Sequence, residues 1–341
     1  MMFSLALATP SSAQSTCTPS VGQLTLERIA RLSDSNGEAG LARPLLVQRA
    51  SREGYLVVTL QRQGTLLLFE DNGGFARSVG TVGQGPQEFL GILAVEPGVA
   101  DSIHVLDGGN HRMSVLTPSL TVARTMRLPV SGSSWFGVLR DGSTLMMSPI
   151  PRRGGERLHL LDASGALVRS FFYSPPVGPE NAVSSLRRRM SVTSQGIIAL
   201  SHADVPAVEI WDASGSENRT VQFEAFDRSQ GEPLSIQERA WVDDNGKVWT
   251  VTHVADPNWA AALSSAPRRD GRDAARLLEE NMDRLYDSVV RVVDLSSGLE
   301  EACLRVDQAL TLFSSDGFAW SYREDAVGFP HIDVWRLSYI L

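Results

Sequence analysis

The sequence predicts an all-β fold, a six-bladed β-propeller with a short helical insertion in blade five, on three observations. A Gly- or Asp-centred turn followed by alternating apolar residues recurs six times. A second Asp/Ser/Gly turn recurs downstream of most of these. The last repeat lacks its final strand, while an unassigned strand stands near the N-terminus. Four-stranded repeats of roughly 40 to 50 residues are the pattern of propeller blades.

The first turn occurs as Arg52-Glu53-Gly54-Tyr55, Val99-Ala100-Asp101-Ser102, Arg140-Asp141-Gly142-Ser143, Ser194-Gln195-Gly196-Ile197, Asp244-Asn245-Gly246-Lys247 and Ser315-Asp316-Gly317-Phe318. Apolar strands such as Tyr55-Leu56-Val57-Val58-Thr59-Leu60 follow. The second turn is clearest in Leu160-Leu161-Asp162-Ala163-Ser164-Gly165, Ile210-Trp211-Asp212-Ala213-Ser214-Gly215 and Val292-Val293-Asp294-Leu295-Ser296-Ser297-Gly298. Glycine supplies positive φ there, and aspartate caps its own turn. Each unit therefore reads as strand A, Gly turn, strand B, loop, strand C, Asp-Gly turn, strand D.

Two irregularities complete the scheme. Between strands B and C of blade five, residues 256–287 place Ala274, Leu277, Leu278, Met282, Leu285 and Tyr286 at helical spacing among charged residues, which predicts an amphipathic insertion. Blade six ends at Ile332-Asp333-Val334-Trp335-Arg336-Leu337-Ser338-Tyr339, so residues 23–32 are expected to close it as the outer strand. Trp211, Trp249, Trp320 and Trp335 fall in strands B or C and are expected to pack between blades.

The 341 residues, 43% hydrophobic and 21% charged, suit a globular domain, here residues 15–341. A net charge of −8 speaks against a nucleic-acid binder. No apolar run reaches the roughly 18 residues of a membrane span. Residues 1–14 read as a truncated signal peptide: Phe3-Ser4-Leu5-Ala6-Leu7-Ala8 is apolar, and Ser11 and Ala13 fit a cleavage site before Gln14. The missing basic start suggests a start codon upstream of Met1. Export to the periplasm or medium would permit a disulfide between the only two cysteines, Cys17 and Cys303.

One stretch carries a family resemblance. Asp107-Gly108-Gly109-Asn110-His111-Arg112-Met113-Ser114-Val115-Leu116 resembles the core of NHL repeats, and Gly83-Gln84-Gly85-Pro86-Gln87-Glu88-Phe89 resembles the link that precedes them, with Gln87 in place of a glycine. It covers residues 80–116. The resemblance implies a six-bladed propeller, in a family that includes binding modules, lyases and lactonases. The glycines at 80 to 85 lack the Gly-Lys-Ser/Thr ending of a phosphate loop and predict an inter-blade turn with Phe89 wedged between sheets.

Candidate ligand-binding residues lie at the B–C loops: Arg62, Asp107, His111, Arg112, Arg152, His202, His253, Arg323 and His331. These loops share one face of a propeller, so their side chains could converge at the channel mouth. The expected function is an exported binding scaffold for a small molecule, glycan or protein, without cofactor or nucleic acid. The alternative is a hydrolase or lyase at the central channel, with zinc or calcium on His202, His253 and Asp256. The insertion is expected to roof the site at one side.

Overall fold

The computed structural model describes residues 17, 21–34, 37–50, 54–59, 64–130, 135–149, 156–174, 188–202, 205–223, 226, 232–265, 282–312, 317–325 and 327–340. Their strands form six four-stranded sheets, each antiparallel, and one two-stranded parallel ribbon. Blade 1 runs Pro44–Ala50, Gly54–Thr59, Leu66–Phe69 and Phe75–Val79. Blade 2 runs Ile92–Pro97, Ile103–Asp107, Arg112–Leu116 and Val122–Arg127. Blade 3 comprises Trp135–Val138, Thr144–Pro149, Glu156–Leu161 and Leu167–Ser174, and blade 4 comprises Arg188–Val192, Ile197–His202, Val205–Asp212 and Glu217–Gln222. Blade 5 has Ile236–Val242, Lys247–Ala255, Tyr286–Asp294 and Glu300–Val306. Blade 6 has Thr311–Leu312, Phe318–Glu324 and Pro330–Ile340, with Gln23–Ser33 from the other end of the chain as its outer strand. The first strands of neighbouring blades touch and so line the central axis.

Alternation within each strand builds the ring. In blade 1, Tyr55 and Val57 pack toward blade 6 with Phe318, Trp320 and Ile332, while Leu56 and Val58 pack toward blade 2 with Ile92, Val95 and Ile103. Similar apolar wedges join blades 2 and 3, 3 and 4, 4 and 5, and 5 and 6. Strands are covered on both faces, so Gly54–Thr59 and Leu66–Phe69 are buried throughout. Trp241 and Trp249 stack at 5.1 Å in the wedge between blades 5 and 6, and Phe89 is fully buried beside blade 1.

The repeated turns have the expected chemistry. Asp162 Oδ1 accepts from the backbone of Ser164 and Ala166 and from the Ser164 hydroxyl, which holds its pKa below the usual carboxylate range. Asp212 and Asp294 repeat the device at the corresponding turns. Blade 2 departs from the glycine rule: Ala100 and Asp101 occupy the left-handed region at φ 54° and 60°.

Residues 23–33 close blade 6 as its outer strand. Gln23 pairs with Ile340 and Ser33 with His331, and Arg31 clamps Asp333 with bonds of 2.7 and 2.9 Å. Gly73 of blade 1 abuts this strand, where a Cβ would lie 1.9 Å from the Arg31 carbonyl, and its φ of 90° also requires glycine. Cys17 and Cys303 form the disulfide, with Cα atoms 5.2 Å apart. Cys303 sits in the middle of blade 5's outer strand, paired in register with Arg291. Val21 and Gly22 bond the neighbouring Glu301 carbonyl.

Between the second and third strands of blade 5 lie two short helices, α1 (Trp259–Ser265) and α2 (Met282–Leu285). Ala262, Leu285 and Tyr286 form a small core there with Trp259, Met282, Ile236 and Ala309. Ala274, Leu277 and Leu278 of the predicted stripe lie outside the described residues.

Candidate functional site

Connections between second and third strands, and from each blade to the next, share one face of the ring. On that face, a cavity of about 230 Å³ opens where the inner strands of blades 5, 6 and 1 meet. Its polar wall is Arg43, Glu238, His253, Asp283, Thr311 and Tyr322, and its apolar wall is Pro44, Leu45, Met282, Ala309 and Trp320. Arg43 and Pro44 enter blade 1, Ala309 and Thr311 enter blade 6, and α2 contributes Met282 and Asp283.

His253 is 1% exposed and lies opposite Ile236 and Ser288 in the blade 5 sheet. Its Nε2–H donates to the Leu310 carbonyl at 2.9 Å, which leaves Nδ1 as the lone-pair nitrogen. Nδ1 is buried without a hydrogen-bond partner, with Glu238 Oε1 3.6 Å away. Burial pushes the imidazole pKa down to about 4, Arg189 adding to the effect and the Leu310 carbonyl opposing it. The ring is therefore neutral at pH 7.

Arg43 faces the same cavity. Its Nη1 is buried without a hydrogen-bond partner, Nη2 stands 3.9 Å from Asp283 Oδ1, and the guanidinium lies 5.5 Å from the centroid of the Tyr322 ring. Burial raises the Asp283 pKa, and Arg43 offsets this in part. Burial also raises the Tyr322 phenol, which donates to Glu324 at 3.0 Å. Orphaned polar atoms in an enclosed site cost free energy unless something fills their bonds.

Beneath the cavity the inner strands carry buried charges. Glu238 pairs with Arg189, and Arg239 pairs with Glu96 at 2.6 Å while its Nε donates to the Met190 carbonyl. The Arg239 guanidinium lies 5.2 Å from the Trp135 ring centroid. Burial lowers the Arg189 pKa to about 10, aided by Arg239. Burial raises Glu96, which Arg239 partly reverses. The opposite face holds depressions of about 280 and 360 Å³, bounded by Glu96 and Arg140 and by Asp243 and Trp249. Among the described residues, none lining them has a buried unpartnered side-chain atom.

Of the residues expected from sequence, His253 alone lines this cavity among those described. His202 holds the equivalent register in blade 4, opposite Arg188, but is half-buried and lines none of the three cavities described. Asp107 and Arg112 hold the segment that leads into blade 2. Fully buried Asp107 accepts from the Leu90, Gly91 and Asn110 backbone, and Arg112 donates to the Gln84, Gly85 and Glu88 carbonyls. Asn110 joins Gly83 to Asp107 at 2.9 and 2.6 Å. The motif of residues 107–112 thus fastens the inter-blade link. His111 is exposed in a left-handed turn at φ 50°. Arg323 donates to the Asp307 carbonyl, and His331 stands 3.8 Å from Asp333. Asp256 gathers with Asp287 and Asp307, a group that includes neither His202 nor His253. Arg62 and Arg152 lie outside the described residues.

Sequence patterning of turns and motifs does not mark Arg43, Glu238 or Asp283, and for Trp320 it predicts packing alone. The available signal was the polar triplet Gln237-Glu238-Arg239 interrupting an otherwise apolar strand.

No protein-family model matches the chain, and no curated protein matches it. Among solved structures, it is similar to a member of the DUF4221 family from Bacteroides vulgatus, at TM-score 0.62 and 8% identity over 95% of this chain and 99% of that one. It is also similar to a presumed exported protein of Bacteroides fragilis, at TM-score 0.55 and 10% identity over 95% and 98%. At such identities the likeness is one of fold.

Proposed function

We propose that the chain is an extracytoplasmic binding propeller whose ligand is a small molecule, or the end of a glycan, held at the channel mouth between blades 5, 6 and 1. The observation that carries this reading is a single cavity lined by two residues with buried, unpartnered nitrogens, Arg43 Nη1 and His253 Nδ1. Arg43 offers a donor to a carboxylate or carbonyl, and His253 offers an acceptor to a hydroxyl or N–H. Trp320, Met282 and Leu45 supply apolar contact for the ligand body. A cavity of about 230 Å³ takes a compact molecule and not a folded protein surface. The disulfide supports an oxidising compartment.

Thermal-shift screening against small carboxylic acids, amino acids and monosaccharides tests the reading. Hits should raise the Tm of the wild type and lose at least tenfold in affinity in Arg43→Met and His253→Phe. Hits unaffected by both substitutions would place binding elsewhere.

A further inference from the structure

Outside that cavity, the same face of blade 5 holds three carboxylates within 4.8 Å of one another: Asp256, Asp287 and Asp307. They come from three separate chain segments. Asp256 follows the second strand, Asp287 is the second residue of the third, and Asp307 follows the fourth. Acidic groups at a surface often assemble without a ligand, so the state of Asp287 decides the matter. Its side chain is 7% exposed. One oxygen, Oδ2, accepts from Arg305 Nε at 2.8 Å, while Oδ1 is shut off from solvent with no hydrogen-bond partner. A buried carboxylate oxygen in that state leaves its desolvation uncompensated.

Two described guanidinium groups stand near these carboxylates. Arg305 is shared between Asp287 and the Ala255 carbonyl. Arg323 donates to the Asp307 carbonyl and lies 3.9 Å from its carboxylate. Among the described residues, three carboxylates thus face two guanidinium groups. Asp256 uses Oδ1 to cap Asn258 N–H, and the Asp307 side chain is 83% exposed and open to water ligands.

We infer that Asp256, Asp287 and Asp307 form a binding site for a hard divalent cation of the calcium type, tying together three strand ends at the top of blade 5. An all-oxygen, carboxylate-rich set completed by water suits calcium, and sites of this openness on extracellular modules bind at about 0.1–1 mM. The site is separate from the proposed ligand cavity and does not depend on it.

Terbium luminescence provides the test, because Trp259 donates its backbone N–H to the Asp256 carbonyl at 3.0 Å and can sensitise a bound lanthanide. The full chain should give a saturable Tb³⁺ signal displaced by Ca²⁺. Millimolar Ca²⁺ should raise Tm by a few degrees. Asp307→Asn, at an exposed position, should weaken Ca²⁺ affinity about tenfold while leaving the metal-free Tm unchanged, and Asp256→Asn should act likewise. Absence of saturable Ca²⁺ binding up to about 10 mM, or equal affinity in wild type and both variants, overturns the inference.

Discussion

Two buried histidines should make this propeller acid-sensitive well above the range where carboxylates titrate. His253 and His104 are 1% and 3% exposed, and burial pushes each pKa down to about 4, with Arg189 and Arg124 respectively acting in the same direction. In the unfolded chain both return to about 6.5. Between these values the unfolded state binds more protons, so stability is complete above about pH 6.5 and is lost as pH falls toward 4. Linkage gives about 2 kcal/mol lost per histidine at roughly pH 5, or about 4 kcal/mol for the pair. That is a large share of the roughly 5–15 kcal/mol that holds a typical domain together. Glu96, Asp283 and Asp287 have raised pKa values and oppose this trend, so a matched variant is needed. His159 and His331 are also lowered by burial and stay in the variant, so urea unfolding of the oxidised protein at about pH 7 and 5, compared with His104→Gln/His253→Gln, isolates the share of these two histidines. The double variant should have lost most of the wild type's extra acid sensitivity. An equal fall in both proteins would refute the reasoning.

Other outcomes follow from the same geometry. Cys17→Ser/Cys303→Ser should lower stability by up to about 5 kcal/mol, given the 286-residue separation, as read by denaturant midpoints without reductant. Deleting residues 1–33 removes the outer strand of blade 6 and should expose a long unpaired edge, giving aggregation in size-exclusion chromatography. Asp107→Ala strands the Leu90, Gly91 and Asn110 N–H groups beside Arg112 and should cost about 3–5 kcal/mol in thermal or chemical unfolding.

The fold was legible because propeller blades advertise their turns. Asp162, Asp212 and Asp294 cap tight turns through their own side chains, a local device that leaves a local mark in sequence. Closure was legible for a topological reason: Gln23–Ser33 had no partner in its own neighbourhood, and the last blade lacked a strand. The cavity was less so. Arg43 and Tyr322 stand far apart in sequence and become neighbours only when the ring closes. Glu238 and Arg239 resemble solvent-facing charges until inner strands from other blades cover them. His253 could be found from its register in blade 5, whereas its loss of solvent depends on Leu310 of the next connection. Asp107 and Arg112 were visible as a motif, but most of their partners are backbone groups of residues 84–91 and of Asn110, which side-chain chemistry alone does not announce.

The pairing of Arg239 with Glu96 has a mechanical meaning. In a ring of six, blades 5 and 2 stand diametrically opposite, so this contact crosses the axis as a strut. Arg239 also grips the Met190 carbonyl of blade 4 and covers Trp135 of blade 3, bracing four blades from one side chain. Together with the Arg189–Glu238 pair, it sets paired charges across the inner strands below His253. A ring braced across its diameter resists becoming oval, which keeps Arg43 and His253 at a fixed span whether or not anything lies between them.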